Sequence, residues 1–299
     1  MKFFVTGVGG QLGYDVINTL KQRGYECIGS DIKPKEDCNE TDYIQLDITD
    51  EKAVFDAISH AKPDAVIHCA AWTAVDAAED ETNIPTVTAI NTNGTKNIVT
   101  ACKSIDCKML YISTDYVFNG NGISPWQADC KDYSPLNIYG KTKLQGELAV
   151  SSILDKYFIV RIAWVFGKNG NNFVKTMLNL SKKHSSLRIV CDQIGTPTYT
   201  SDLAELLVDM CETEKYGYYH ATNEGGYISW YDFACEIFRQ AKVDIEVFPV
   251  TTAEYGLSKA ARPFNSRLDK SKLIENGFKP LPDWRDALAR YIEELNNNE

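Results

Sequence analysis

Metal-binding side chains are scarce in this chain. It has four histidines, isolated from one another, and none of its nine cysteines forms a Cys-x-x-Cys pair, so no metal-ligand cluster is expected. The odd number of cysteines, scattered from Cys27 through Cys38 to Cys235, argues against a disulfide framework and for free thiols in a reducing compartment. Basic residues are outnumbered, 31 against 41 acidic, for a net charge of −10, and no block of Lys or Arg occurs. That excludes nucleic acid and anionic membranes as expected partners, while a local basic pocket for a phosphorylated ligand stays compatible. No apolar run approaches the ~18 residues of a membrane helix. Met1 leads directly into a strand-like run, residues 2–6, which leaves no room for a signal peptide, so a cytoplasmic protein is expected. Repeats, low-complexity tracts and flexible linkers are also missing. What remains, 44% hydrophobic and 24% charged over 299 residues, suits one large globular domain or two smaller ones.

The first half reads as strands alternating with helices. Phe3-Phe4-Val5 precedes Thr6-Gly7-Val8-Gly9-Gly10-Gln11-Leu12-Gly13, followed by an amphipathic stretch to Arg23. Strand, glycine turn and helix are the context a dinucleotide fingerprint requires. Gly7 would make the tight turn, Gly10 would admit a pyrophosphate, and Gly13 would let helix and strand pack, with the phosphates on the helix N-terminus. A glycine turn with no ligand is the competing explanation for a bare motif. A second strand ending at Asp31 answers it, because an acid about 20 residues on accepts from the adenosine ribose hydroxyls. Asp31 favours NAD and Lys33 softens the repulsion of a 2′-phosphate, so NADH and NADPH both stay open. Residues 43–46 form a short strand ending at Asp47-Ile48, where an adenine edge would be met. Residues 50–60 are helical and 64–69 a buried strand, with Ala70-Ala71 at the end where ligands lie in an open parallel sheet. His68 belongs to the core. A long helix over 86–104 and a strand over 108–112 complete a doubly wound parallel α/β sheet with right-handed crossovers.

The stretch 134–147 carries the chemistry. Ser134 is expected as N-cap and Pro135 as the first helical residue. Tyr139 and Lys143 then lie one turn apart on one face. A phenol of pKa about 10 is a poor acid–base group at neutral pH, and an ammonium one turn away is expected to lower it into the working range. The spacing alone is weak, since Tyr255 and Lys259 repeat it with nothing catalytic around them. Upstream, Ser113-Thr114-Asp115 ends a strand at the cofactor cleft, where a hydroxyl can bond a substrate carbonyl and orient Tyr139.

Together these residues resemble the extended short-chain dehydrogenase/reductase family, over essentially the whole chain, and within it a branch that reduces 4-keto nucleotide sugars. The marks are Gly-Gln-Leu-Gly (10–13), Cys-Ala-Ala-Trp-Thr-Ala-Val-Asp (69–76), Ser-Thr-Asp-Tyr-Val-Phe (113–118) and Tyr-Gly-Lys-Thr-Lys-Leu-Gln-Gly-Glu (139–147). Further on stand Arg-Ile-Ala-Trp-Val-Phe-Gly (161–167), Asp-Gln-Ile-Gly-Thr-Pro-Thr (192–198) and Arg-Pro-Phe-Asn-Ser-Arg-Leu (262–268). The resemblance implies hydride transfer from NADPH or NADH to the C4 ketone of dTDP-4-dehydro-6-deoxy-L-mannose. It makes Tyr139 the proton donor, Lys143 the holder of the nicotinamide ribose and Thr114 the carbonyl partner. Gly7, Gly10, Gln11, Leu12, Gly13, Asp31, Asp47, Ile48, Ala70, Ala71 and Trp72 would bind cofactor.

For the sugar nucleotide it implies Thr114, Asp115, Trp164, Asn171, Asn172 and Arg262. Trp164 is open between a core role and a sugar contact, and Arg262 between a diphosphate and a surface salt bridge. Tyr218, Tyr219, Trp230 and Tyr231 are expected in the core. Nucleotide-sugar 4,6-dehydratases carry Asp-Glu after the threonine, whereas Asp115-Tyr116 lacks the second carboxylate, so simple reduction fits best. The rivals are a non-enzymatic subunit like the regulatory subunit of methionine adenosyltransferase, and a reductase or epimerase of another nucleotide sugar. A Rossmann domain over 1–165 and a smaller substrate-binding lobe over 166–299 are expected, with about 190–215 returning to the first. A homodimer rests on the resemblance alone.

Overall fold

The computed structural model describes residues 1–35 and 42–297; Cys38 lies outside them. Its backbone is a seven-stranded sheet in which every pairing is parallel. The strands are β1 (Lys2–Thr6), β2 (Glu26–Asp31), β3 (Tyr43–Gln45), β4 (Ala65–His68), β5 (Lys108–Thr114), β6 (Tyr157–Ile162) and, from much later in the chain, Gly217–His220. The last strand pairs with β6 at one edge, and β3 forms the other. From β1 the chain runs outward one way through β2 and β3, then returns to β4 and runs the other way. The gap between β1 and β4 is therefore the switch point where an open α/β sheet binds its ligand.

Strand residues alternate between two buried layers. Phe3, Val5, Ile67 and Leu110 face α1 (Gln11–Gln22), while Phe4, Val66, Met109 and Ile159 face α2 (Glu51–Ala61) and the helices that follow it. Both faces are covered, which is why these strands are nearly continuous apolar runs. The expected 86–104 helix starts earlier, as α3 (Ile84–Thr88), and passes through a π-helical segment, Ala89–Gly94, into α4 (Thr95–Ser104).

The expected start of the catalytic helix needs correction. α5 spans Ile138–Ile153, and Asn137, not Ser134, caps it by accepting from the Gly140 N–H at 2.8 Å. Ser134 instead donates its backbone N–H to the Val117 carbonyl, so Pro135 lies ahead of the helix.

Beyond β6 the pieces are smaller. β7 (Val165–Phe166) leads to α6 (Phe173–Ser181), β8 (Ser186–Val190), β9 (Ile194–Gly195), β10 (Thr198–Tyr199) and α7 (Thr200–Cys211). α7 packs its Leu203, Leu207 and Met210 into the layer shared with α1. After β11, the Gly217–His220 strand, come β12 (Ile228–Ser229), α8 (Trp230–Ala241) and β13 (Glu246–Val250). Short α9 (Thr252–Tyr255) and α10 (Ser271–Glu275) precede the terminal α11 (Trp284–Asn296). Three two-stranded pairings, β7 with β10, β9 with β12 and β8 with β13, tie this region together. Phe166, Val174, Phe233, Trp284 and Tyr291 form its own core.

Candidate active site

A cavity of about 620 Å³ opens at the C-terminal ends of the sheet strands. At one end stands the glycine turn after β1. Gly7 has φ +75°, and a Cβ there would lie 2.6 Å from the Ala70 backbone nitrogen, so the close approach of the two strand ends admits glycine only. A Cβ on Gly13 would lie 2.1 Å from the Gly7 carbonyl oxygen. α1 begins at Gln11 behind Gly10, which offers no side-chain cap, and Gly10, Gln11, Leu12 and Gly13 line the cavity, the arrangement that suits a diphosphate. Asp31 accepts from the Gly9 N–H at 2.9 Å, and Lys33 Nζ donates to the Gly9 carbonyl at 3.1 Å, so an acid and a base both buttress the turn. Asp47, Ile48, Ala70 and Ala71 line the same cavity. The residues present fit a nicotinamide dinucleotide.

Trp72, between Ala71 and Thr73, does not line the cavity, which Thr73 and Val75 border. Its backbone N–H donates to Asn91 Oδ1 at 2.8 Å and its indole N–H to the Ala74 carbonyl, so it shapes the loop after β4. His68 is in the core as expected, between the hydroxyls of Thr6 and Thr95, and burial brings its pKa down to about 3.

Thr114, Tyr139 and Lys143 converge in the middle of the cavity. Thr114 ends β5 and caps the short turn after it, its Oγ1 accepting from the Tyr116 N–H at 3.2 Å. The Thr114 hydroxyl donates to Asp115 Oδ1 at 3.1 Å, and its neighbouring dipole favours ionisation of Tyr139. The Lys143 ammonium donates to the Ile112 carbonyl at 2.7 Å and lies 4.1 Å from the centre of the Tyr111 ring.

The electrostatics depart from the expectation. Burial, the largest cause, holds the Tyr139 phenol above its ordinary value, with the Thr114 hydroxyl working against it. Burial also brings Lys143 down to about 7, partly opposed by Glu147. The expected mutual attraction does not set either value: desolvation is the largest cause for both buried groups, and the ammonium is turned to the Ile112 carbonyl. A phenol that retains its proton is the form a proton donor needs. Asp115, also buried, is raised to about 6 by desolvation, with hydrogen bonds to Ser266 and Thr114 working against it.

On the substrate side, Asp115, Trp164 and Asn171 line the cavity; Asn172 and Arg262 do not. Asn172 caps α6, accepting from the Lys175 N–H, while its amide donates to Gln11 Oε1, the Gly167 carbonyl and the Tyr291 hydroxyl. Its carboxamide is thus committed to joining α6 to α1 and α11. Arg262 makes an ion pair with Asp76 at 2.5 Å and donates to the Tyr116 hydroxyl, the second of the two roles open to it from sequence. Trp230 packs against the core of the second region, as expected, and in addition it lines the cavity, stacked on Trp164 with ring centroids 3.7 Å apart. Tyr218 and Tyr219 are buried as expected.

A phenol, a lysine and a threonine beside a glycine-turn dinucleotide cradle make this an NAD(P)-dependent oxidoreductase of the extended short-chain dehydrogenase/reductase class. Within it the chain belongs to the family described as the RmlD substrate binding domain, whose model matches residues 1–297. It is 39% identical over 301 residues to the dTDP-4-dehydrorhamnose reductase of Aggregatibacter actinomycetemcomitans, covering 96% of this chain and 97% of that one. To the spore coat polysaccharide biosynthesis protein SpsK of Bacillus subtilis it is 40% identical over 295 residues, covering 98% and 97%. Among solved structures, a dTDP-4-dehydrorhamnose reductase from Clostridium acetobutylicum superposes with a TM-score of 0.90 at 41% identity, covering 99% of this chain and 100% of that one. The Bacillus anthracis reductase, solved in complex with NADP, gives 0.89 at 38% identity, covering 98% and 99%. Among the described residues no cluster suited to a metal ion occurs, and no helix is long and apolar enough to cross a membrane.

Proposed function

We propose that this protein reduces the C4 ketone of dTDP-4-dehydro-6-deoxy-L-mannose to give dTDP-L-rhamnose, with NADPH or NADH. The observation that carries this is the convergence of Thr114, Tyr139 and Lys143 in one cavity with the glycine turn. When bound, the cofactor supplies the hydride. Thr114 Oγ1 hydrogen-bonds the carbonyl oxygen and orients it toward Tyr139. Tyr139, kept protonated by burial, passes its proton to the nascent alkoxide. Lys143 holds the nicotinamide ribose and returns a proton toward Tyr139; its pKa of about 7 suits that exchange near neutrality. Asp31 binds the adenosine ribose, and Asp115, Trp164 and Asn171 meet the sugar nucleotide.

In this reading residues 1–165 hold the cofactor, 166–299 form the substrate lobe, and α7 and β11 belong to the cofactor side. A cytoplasmic enzyme and a homodimer go with it, the latter on resemblance alone, and light scattering tests it. The decisive assay is nicotinamide oxidation with this keto-sugar, NADH and NADPH in parallel. Tyr139→Phe should fold and bind cofactor yet lose about 10²–10⁴ in turnover. Normal turnover in that variant would remove Tyr139 from the mechanism.

A further inference from the structure

Trp164 has φ 53°, in the left-handed region that non-glycine residues adopt only where their surroundings over-determine it. Three neighbours do so. The Thr198 N–H donates to the Trp164 carbonyl at 3.1 Å, fixing the backbone. Gly195 closes one edge of the ring; a Cβ there would lie 2.9 Å from Cε2 and 3.0 Å from Nε1 of the indole. Trp230 covers one face, its ring only 13° from parallel.

Trp230 is itself held rigidly. It is the first residue of α8, behind a capping box in which Ser229 and Asp232 exchange hydrogen bonds. Phe173 backs it with ring centroids 4.6 Å apart. A residue serving the core alone would be enclosed, yet both tryptophans border the cavity that holds Thr114 and Tyr139.

We propose that Trp230 is a substrate-positioning residue: by covering one face of Trp164 it sets the opposite face as a flat apolar wall against the substrate's sugar ring. This rests on the reading of Trp164 as the sugar-facing residue. The ligand chemistry is the C–H face of a deoxy sugar, which an indole plane matches.

The test compares wild type with Trp230→Leu, Trp230→Phe and Gly195→Ala. It measures KM and kcat for the keto-sugar, the inhibition constant of dTDP, and NADPH affinity. Trp230→Leu should raise KM for the keto-sugar about tenfold, the worth of one aromatic pair, with dTDP inhibition and NADPH affinity unchanged. Trp230→Phe should recover most of the loss. Gly195→Ala, which crowds the Trp164 ring at its Cε2–Nε1 edge, should reproduce it. Loss of the excitonic circular dichroism of the stacked indoles in Trp230→Leu would accompany the KM change. An unchanged KM in Trp230→Leu overturns the proposal, as does a parallel loss of dTDP and NADPH binding, which would mark a packing role. A wild-type protein inactive on this sugar overturns the functional reading, and this inference with it; the wild-type assay therefore separates the two failures.

Discussion

Asp15 shows how a single buried carboxyl ties the pH dependence of this fold to its topology. It lies on α1 beneath the glycine turn and accepts a hydrogen bond from the Thr200 hydroxyl at the start of α7. Burial, the largest cause, raises its pKa from 3.8 to about 6, with Glu294 adding to the rise and Lys168 opposing it. Between those values the folded state binds more protons than the unfolded one, so the stabilisation is complete below about pH 4 and is lost as pH rises through about 6. Asp15→Asn keeps an acceptor for Thr200 and removes the charge. The variant should therefore be more stable than wild type above pH 6, by up to about 3 kcal/mol for two pKa units, with the gap closing toward pH 4. Thermal denaturation across pH 4–8 measures it, and a pH-independent gap would show that Asp15 does not titrate there. At this scale sequence read residue types well and their commitments poorly. Asn172 and Arg262 have the chemistry to meet phosphates, but Gln11, Gly167, Tyr291 and Asp76 occupy them, and those partners come from distant parts of the chain.

The element that matters most is α5, held from behind by a fully buried ion pair. Glu147, two turns on from Tyr139, takes both Nε and Nη2 of Arg161 at 2.8 Å, and neither side chain is exposed. Arg161 also donates to the Ala128 carbonyl and the Tyr133 hydroxyl, linking β6, α5 and the loop between β5 and α5. Removing one partner of such a pair leaves the other charge buried and costs about 3–5 kcal/mol. Glu147→Ala should lose that much stability, seen in urea denaturation. Glu147→Leu with Arg161→Met should recover much of it, because the desolvation penalty disappears with both charges. A double variant as unstable as the single one would contradict this account. At the N-terminal end, Asn137→Ala should cost about 1 kcal/mol through the lost cap, and more because its amide also holds the Ala261 carbonyl. Ser134→Ala should be nearly silent, which the same denaturation series checks. Buried parallel strands were legible as elements because their apolar runs are short and bounded. The cap was misplaced because Ser-Pro and Asn both look like helix starts, and only the Val117 carbonyl, from another segment, decides between them. The π-helical segment was not legible for a like reason: Asn91 inside it serves the Trp72 backbone and the Thr142 hydroxyl, partners outside its own helix.

Across the whole molecule, the cofactor half does not complete itself. β11 supplies the sheet edge beside β6, and its Tyr218 and Tyr219 are buried in opposite layers. α7 lies against α1 and covers one face of the sheet with Leu203, Leu206, Leu207, Val208 and Met210. A helical-period or alternation pattern in the second half reports helices and strands without saying which sheet they join, so this interleaving rests on packing partners that sequence spacing does not name. It has a consequence for dissection. A fragment comprising residues 1–167 keeps the glycine turn, Asp31, Thr114, Tyr139 and Lys143, yet leaves β6 as an unpaired edge and the α7 side of the core open. Each large buried side chain that loses its cover there forfeits about 1.5–3 kcal/mol, and losing the several contacts that α7 makes is comparable to the whole of the roughly 5–15 kcal/mol that holds an ordinary domain. The 1–167 fragment should melt without a cooperative transition, bind a hydrophobic dye and show no saturable NADPH binding. A 1–223 fragment, which regains α7 and β11, should recover a sigmoidal urea transition even though the Trp164–Trp230 wall and the α8 and α11 core are gone. Cooperative unfolding of the shorter fragment would mean that the sheet is self-sufficient and that α7 and β11 are accessories to it.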